Sequence, residues 1–160
     1  YGQLILAGLI FGALGDVLLI PAGTGKVFLG GMIAFALGHL FYVIAFGTLT
    51  LNLPWLVGAG VAMIAFSAVV LAWLMPHVPQ DFKIPVLLYL TIIAFMVVAA
   101  IGATAAGNGI TISLGAIGFA LSDLAVARHR FVAPGNINRM WGLPLYFASQ
   151  MVIASTVPIQ

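Results

Sequence analysis

The chain has 160 residues, of which 64% are hydrophobic and 5% charged. Its mean hydropathy is +1.26, and a soluble domain carries about 25% charged residues, so the composition is that of an integral membrane protein. Five basic residues stand against three acidic ones, a balance without a basic patch that sets nucleic-acid binding aside, and the absence of cysteine excludes disulfides, thiol catalysis and thiolate metal sites.

A spanning helix needs about 20 mainly apolar residues, and six segments qualify in chain order: Gln3–Pro21, Phe28–Gly47, Pro54–Leu74, Ile84–Ile101, Asn108–Ala127 and Trp141–Pro158. The breaks carry turn chemistry: Pro-Ala-Gly-Thr-Gly after the first, Asn-Leu-Pro before the third, and Pro-His-Val-Pro-Gln-Asp after it. Ala-Gly-Asn-Gly precedes the fifth and Ala-Pro-Gly-Asn the sixth. The runs are too long for strands and lack period-two alternation. The expected fold is all-α, a polytopic transmembrane bundle of six spanning helices forming one domain over residues 1–160. The opening at Tyr1, with no charged leader or cleavage site, reads as a fragment lacking N-terminal residues.

With six spans, the segments after the first, third and fifth helices share one side. They hold Lys26, Lys83, Arg128, Arg130 and Arg139, every basic residue of the chain. The opposite loops and both termini, Tyr1 and Gln160, hold none, so the positive-inside rule places the basic side in the cytoplasm. The expected setting is a bacterial inner membrane. Trp55 and Trp141 suit the interfacial belt.

Two of the three acidic residues, Asp16 and Asp123, lie inside apolar spans, where an ionisable group is costly and marks function by default. Helix rise puts both roughly 6–7 Å from the cytoplasmic ends of their spans. Tyr89 and Tyr146 fall at a like depth, Gln150 one turn deeper, and His39 near mid-membrane with Tyr42 on its face. Gly8, Gly12 and Asp16 share one helix face, and Gly31, Phe35, Gly38, His39 and Tyr42 share another, which suits close helix approach. The simplest geometry is a polar cavity open to the cytoplasm, with the two carboxyls within roughly 5–10 Å, the range in which carboxyl pairs cooperate. Each group also has a packing reading: His39 as a satisfied helix-packing histidine, Tyr89, Tyr146 and Gln150 as interhelical glue, and Ser122 as a packing hydroxyl kept among the positioning candidates beside Asp123. His77, Asp81 and His129 read as solvated. No two histidines have ligand spacing, so neither a metal nor a cofactor is expected.

These residues sit in ordered strings. Gly15-Asp16-Val17-Leu18-Leu19 is followed by Phe28-Leu29-Gly30, Gly38-His39-Leu40-Phe41-Tyr42, Pro85-Val86-Leu87-Leu88-Tyr89, Gly115 through Ser122-Asp123, and Tyr146-Phe147-Ala148-Ser149-Gln150. In that order and spacing the chain resembles the YhhN-like lysoplasmalogenase family of multi-pass membrane proteins over nearly its whole length. The resemblance implies about two further N-terminal helices in family members, with a basic residue that could join the site. It also implies hydrolysis of the vinyl ether of lysoplasmalogens, a lysophospholipid substrate, to a fatty aldehyde and a glycerophospho-alcohol.

That chemistry suits the residues. Vinyl ethers hydrolyse by protonation at carbon, giving an oxocarbenium ion that water captures. One of Asp16 and Asp123 would stay protonated, helped by burial and by the other carboxyl, and the ionised one would steady the cation or activate water. The sequence leaves open which is which. Two other readings stand beside this one: a proton-coupled transporter, since buried aspartates also relay protons, and a non-catalytic lipid-binding membrane protein.

Overall fold

A computed structural model describes residues 1–21, 23 and 25–158. Gln160, expected on the non-basic side, lies outside the described residues, as do Ala22 and Thr24 of the first loop. The described residues form six α-helices: α1 (Gly2–Leu19), α2 (Lys26–Gly47), α3 (Leu53–Leu74), α4 (Gln80–Ala103), α5 (Ile110–Ala127) and α6 (Asn136–Ala154). No strand occurs among the described residues.

The boundaries follow local chemistry. Asn52 caps α3, its side-chain oxygen accepting from the Trp55 N–H at 3.3 Å, with Pro54 in the first turn. Between α4 and α5 the chain turns through Gly107 and Gly109, with φ of 96° and 98°, a left-handed conformation that glycine adopts without strain. Asn108 sits in that turn and donates to the Ala103 and Thr50 carbonyls, both at 3.0 Å. It is therefore a turn residue and not the first residue of α5.

Two other boundaries correct the sequence reading. α6 starts at Asn136, five positions before the expected Trp141, because Asn138 is buried and bonded at the start of the helix. Its side chain accepts from Arg128 and donates to the Ala133 carbonyl at 2.7 Å. α4 starts at Gln80 and not Ile84. Lys26, Lys83 and Arg139 consequently stand in the first turns of α2, α4 and α6 and not in loops. Backbone hydrogen bonding carries a helix past the apolar window that a membrane span presents.

α1, α2, α4, α5 and α6 close a ring in which each touches the next, with α1 on α2 and α5 on α6 the most extensive pairs; α3 lies outside, against α4. The centre holds Tyr42, Phe46, Met96, Phe119 and Ile153, all nearly inaccessible. The exterior is apolar, with Ile64, Val69, Leu88 and Phe95 exposed, while His39, Ser122, Ser149 and Gln150 are buried. Oil outside and polar groups inside is the arrangement a bilayer favours. Among the described residues, five helical stretches are long and apolar enough to cross a membrane, Gly2–Leu19 through Ile110–Val132, and the chain is an integral membrane protein. α6 is of spanning length at 19 residues but carries Asn136, Asn138, Arg139, Ser149 and Gln150, which lower its hydropathy.

The bundle has two distinct ends. At one, the Tyr1 and Thr156 hydroxyls meet at 2.5 Å, tying the start of α1 to the end of α6. At the other, the rings of Phe28, Phe82 and Phe131 pack with centroids 5.6 to 6.1 Å apart. Arg130 lies over the Phe28 ring, 4.9 Å from its centroid, and donates to the Leu19, Gly23 and Pro21 carbonyls at 2.6, 3.0 and 3.3 Å. It thereby satisfies the last carbonyl of α1, which has no helical partner, and two carbonyls of the loop that follows. All five basic residues belong to this end.

Candidate active site in the helix ring

The inner face of α1 is a trough of glycines. Gly8 faces the Tyr42 ring, and a Cβ added at Gly12 would stand 2.6 Å from Gln150 Nε2 and 3.3 Å from the Tyr146 hydroxyl. One at Gly15 would stand 2.5 Å from the Phe35 ring. Gly38 of α2 completes the fit, its added Cβ 3.0 Å from the Gly8 carbonyl oxygen. The missing side chains let α1 and α2 approach closely and leave room beside Asp16 for groups from α6.

Those groups form a directed chain of donors. The Tyr42 hydroxyl donates to Gln150 Oε1 at 2.6 Å, Gln150 Nε2 donates to the Tyr146 hydroxyl at 3.1 Å, and that hydroxyl donates to Asp16 Oδ2 at 2.8 Å. The amide orientation follows from the end of the chain. An ionised carboxylate accepts only, so Tyr146 must give its proton to Asp16 and take one from Gln150.

Asp123 has a different setting. Its Oδ2 accepts from the Tyr89 hydroxyl at 3.1 Å and lies 3.3 Å from His39 Nε2. That last contact is close enough for charge but off the line of a hydrogen bond, so Nε2 has no hydrogen-bond partner although the imidazole is 1% exposed. The other ring nitrogen, Nδ1, lies 2.7 Å from the Phe35 carbonyl oxygen. A carbonyl only accepts, so Nδ1 carries hydrogen. In a neutral imidazole Nε2 is then a bare lone pair facing a carboxyl oxygen. Two lone pairs at that distance repel, and a single proton, held by Asp123 or by His39, relieves the repulsion.

Both carboxyls line one cavity of about 820 Å³, within the about 300–1,000 Å³ usual for small-molecule sites. Asp16, Tyr89, Asp123 and Tyr146 stand at its inner part; Phe66 and Val70 of α3 with Val86, Leu90 and Ile93 of α4 form an apolar wall; Gly23, His129, Arg130, Pro134 and Arg139 line it at the basic end.

The structure thus brings Asp16, Tyr42, Tyr146 and Gln150 into one hydrogen-bonded group and His39, Tyr89 and Asp123 into another. Ser122 borders the cavity, but its hydroxyl turns back to the Phe119 carbonyl at 2.6 Å. Asp81 and His77 stand outside the cavity lining. Among the described residues no cluster of His, Cys, Asp or Glu could hold a metal. Sequence reasoning did not single out Phe119, whose ring packs against His39, Tyr146 and Tyr42 with centroids 4.4, 5.2 and 6.3 Å away, so that it lies between the two groups. Its place one helical turn before Asp123 was the available signal. The role of Phe35, which orients His39 through its backbone, left no trace in side-chain chemistry.

Comparison with known proteins gives a consistent set. The YhhN family profile matches residues 1–157. Lysoplasmalogenase TMEM86A of Bos taurus is 35% identical over 156 residues, covering 94% of this chain and 63% of the relative. Lysoplasmalogenase TMEM86B of Homo sapiens is 32% identical over 154 residues, covering 96% and 62%. A lysoplasmalogenase of Mycobacterium tuberculosis is 31% identical over 158 residues, covering 94% and 59%. The chain therefore spans roughly three fifths of the length of these relatives. No solved structure matches.

Proposed function

The chain belongs to the YhhN family, and on that premise we propose that it hydrolyses the vinyl ether of lysoplasmalogen-type lysophospholipids. The products are a fatty aldehyde and a glycerophospho-alcohol, and the protein needs no cofactor. The observation that carries the reading is the pair of unlike carboxyl settings on one cavity: Asp16 ends a chain of donors, and Asp123 accepts from Tyr89 and lies 3.3 Å from the unpartnered Nε2 of His39. Relatives named lysoplasmalogenase support the substrate class.

The roles divide by hydrogen bonding. Asp16 accepts from the Tyr146 hydroxyl, which Gln150 and Tyr42 hold in turn, and in this reading it acts as the carboxylate. The Asp123–His39 pair supplies the proton. The π electrons of the vinyl double bond take that proton at the carbon distal to oxygen, leaving an oxocarbenium ion whose charge the Asp16 carboxylate stabilises. Water then bonds to the cationic carbon and gives its proton to Asp16. The resulting hemiacetal loses its hydroxyl proton to the Asp123–His39 pair and its bond to the glycerol oxygen, which takes up the proton held by Asp16. One water is consumed, and the Asp123–His39 proton is restored through the hydroxyl proton released. Tyr89 and Tyr146 orient the two carboxyls, and Tyr42 and Gln150 hold Tyr146. The apolar wall receives the hydrocarbon chain. We place the basic end, and with it the cavity mouth, on the cytoplasmic side of a bacterial inner membrane.

The test is aldehyde release from an alkenyl lysophosphatidylethanolamine by the purified full-length protein in detergent. Release is expected, with loss in Asp16→Asn and Asp123→Asn. A wild-type protein that folds and releases no aldehyde would refute the reading.

A further inference from the structure

We infer that Arg139 and His129 form a phosphate site at the mouth of the cavity, which holds the phosphodiester of the lysophospholipid and sets the direction in which the lipid enters. The inference rests on the hydrolase reading for its substrate, and on a separate inventory of donors at the basic end.

Most donors there are already used. Arg128 donates to Asn138, and Asn138 donates to the Ala133 carbonyl. Arg130 is spent on three backbone carbonyls, one at the end of α1 and two in the loop after it. Arg139, on the first turn of α6, lines the cavity and makes no hydrogen bond or ion pair among the described residues. Its charge lies near enough to Arg130 for the two to repel. No carboxylate offsets them: the one acid–base contact among the described residues is His39–Asp123, deeper in the cavity. His129 is the second free donor. The Gly135 N–H donates to its Nδ1 at 3.1 Å, so Nδ1 holds a lone pair and Nε2 carries the hydrogen. A guanidinium and an imidazole N–H lining the same cavity, neither with an anionic partner among the described residues, suit a phosphate.

The register fits a lysophospholipid. His129 lies beyond Asp123 on α5 and the turn that continues it, about 9 Å further along at helical rise. A phosphate held at the mouth leaves the glycerol backbone to span the gap and puts the ether linkage beside Asp123 and His39. The hydrocarbon chain then runs along Leu90 and Ile93, the deeper part of the apolar wall. The headgroup faces the basic end and the tail the bundle.

The probe is a saturated 1-O-alkyl lysophosphatidylethanolamine, which lacks the bond to be cleaved, so binding is measured apart from turnover. Its partner is the 1-O-alkylglycerol of the same chain, without phosphate. Equilibrium binding is measured on the full-length protein in detergent. Arg139→Gln should weaken the phosphate-bearing probe roughly tenfold or more, as expected for a charged hydrogen bond, and leave the alkylglycerol unchanged. His129→Gln should weaken it less, and Arg139→Lys should restore part of the loss. Equal weakening of both probes, or no change for the phosphate-bearing one, would overturn the site. Displacement of the lipid by inorganic phosphate at matching concentration would overturn the lipid assignment in favour of a free anion. Selective binding in a wild type that releases no aldehyde would uphold the site and refute the hydrolase.

Discussion

Two aspartates, one imidazole and three phenols meet inside a lipid-facing ring, and each carboxyl answers to a different partner. If Asp123 and His39 carry the proton, then Asp123→Asn and His39→Phe should each lower aldehyde release by about 100- to 10,000-fold, the usual span of general acid–base catalysis. The phenylalanine keeps the ring packed against Phe119 and removes only the nitrogens, so the variant should still extract as a folded protein. Near-normal release from either variant would end the proposed proton path. Tyr89→Phe and Tyr146→Phe remove one donor from Asp123 and Asp16 respectively. A hydrogen bond to a charged group is worth about 1.5–3 kcal/mol, so each should slow turnover roughly tenfold or more without abolishing it. The candidate carboxyls stood out in the sequence because charge is rare in apolar spans. The division between them did not, because it depends on which nitrogen of His39 meets a backbone carbonyl and which way the Gln150 amide points.

Among the elements, α1 and α2 make the most extensive contact, and the glycines on their inner faces divide into two kinds. A methyl at Gly12 would meet the far end of Gln150, which has freedom to swing, whereas a methyl at Gly38 would press on the Gly8 backbone, which does not. Gly12→Ala should therefore break the donor chain to Asp16 and lower activity while the melting temperature in detergent stays near the parent value. Gly38→Ala should instead reduce thermal stability, since overpacking costs about 1–3 kcal/mol. If Gly12→Ala melted early while Gly38→Ala melted normally, the assignment of trough and helix contact would be reversed. The helix count and the glycine faces were legible from apolar length and spacing. The start of α6 was not: Asn136 to Arg139 read as a loop because they are polar, but Asn138 is buried between Arg128 and the Ala133 carbonyl. Asn138→Ala should accordingly loosen this start, at about 1–3 kcal/mol for the unpaired buried groups, seen as earlier proteolysis between α5 and α6.

At the scale of the whole molecule, the basic end and the cavity mouth coincide, so orientation in the membrane decides from which side substrate arrives. Every basic residue gathers at that end, three of them in the first turns of α2, α4 and α6. Segregation of this kind is what the membrane insertion machinery reads. The chain has no cysteine, so single cysteines can be placed without background. Lys26→Cys and Lys83→Cys mark the basic end, and Thr50→Cys, exposed in the link between α2 and α3, marks the other. With a membrane-impermeant maleimide on intact cells, Thr50→Cys should label directly, and the two lysine positions only after permeabilisation. Labelling of Lys26→Cys and Lys83→Cys on opposite faces would break the helix topology itself. Both labelling from outside, with Thr50→Cys protected, would keep the topology and turn the mouth outward, so that the cavity would open to the outer leaflet.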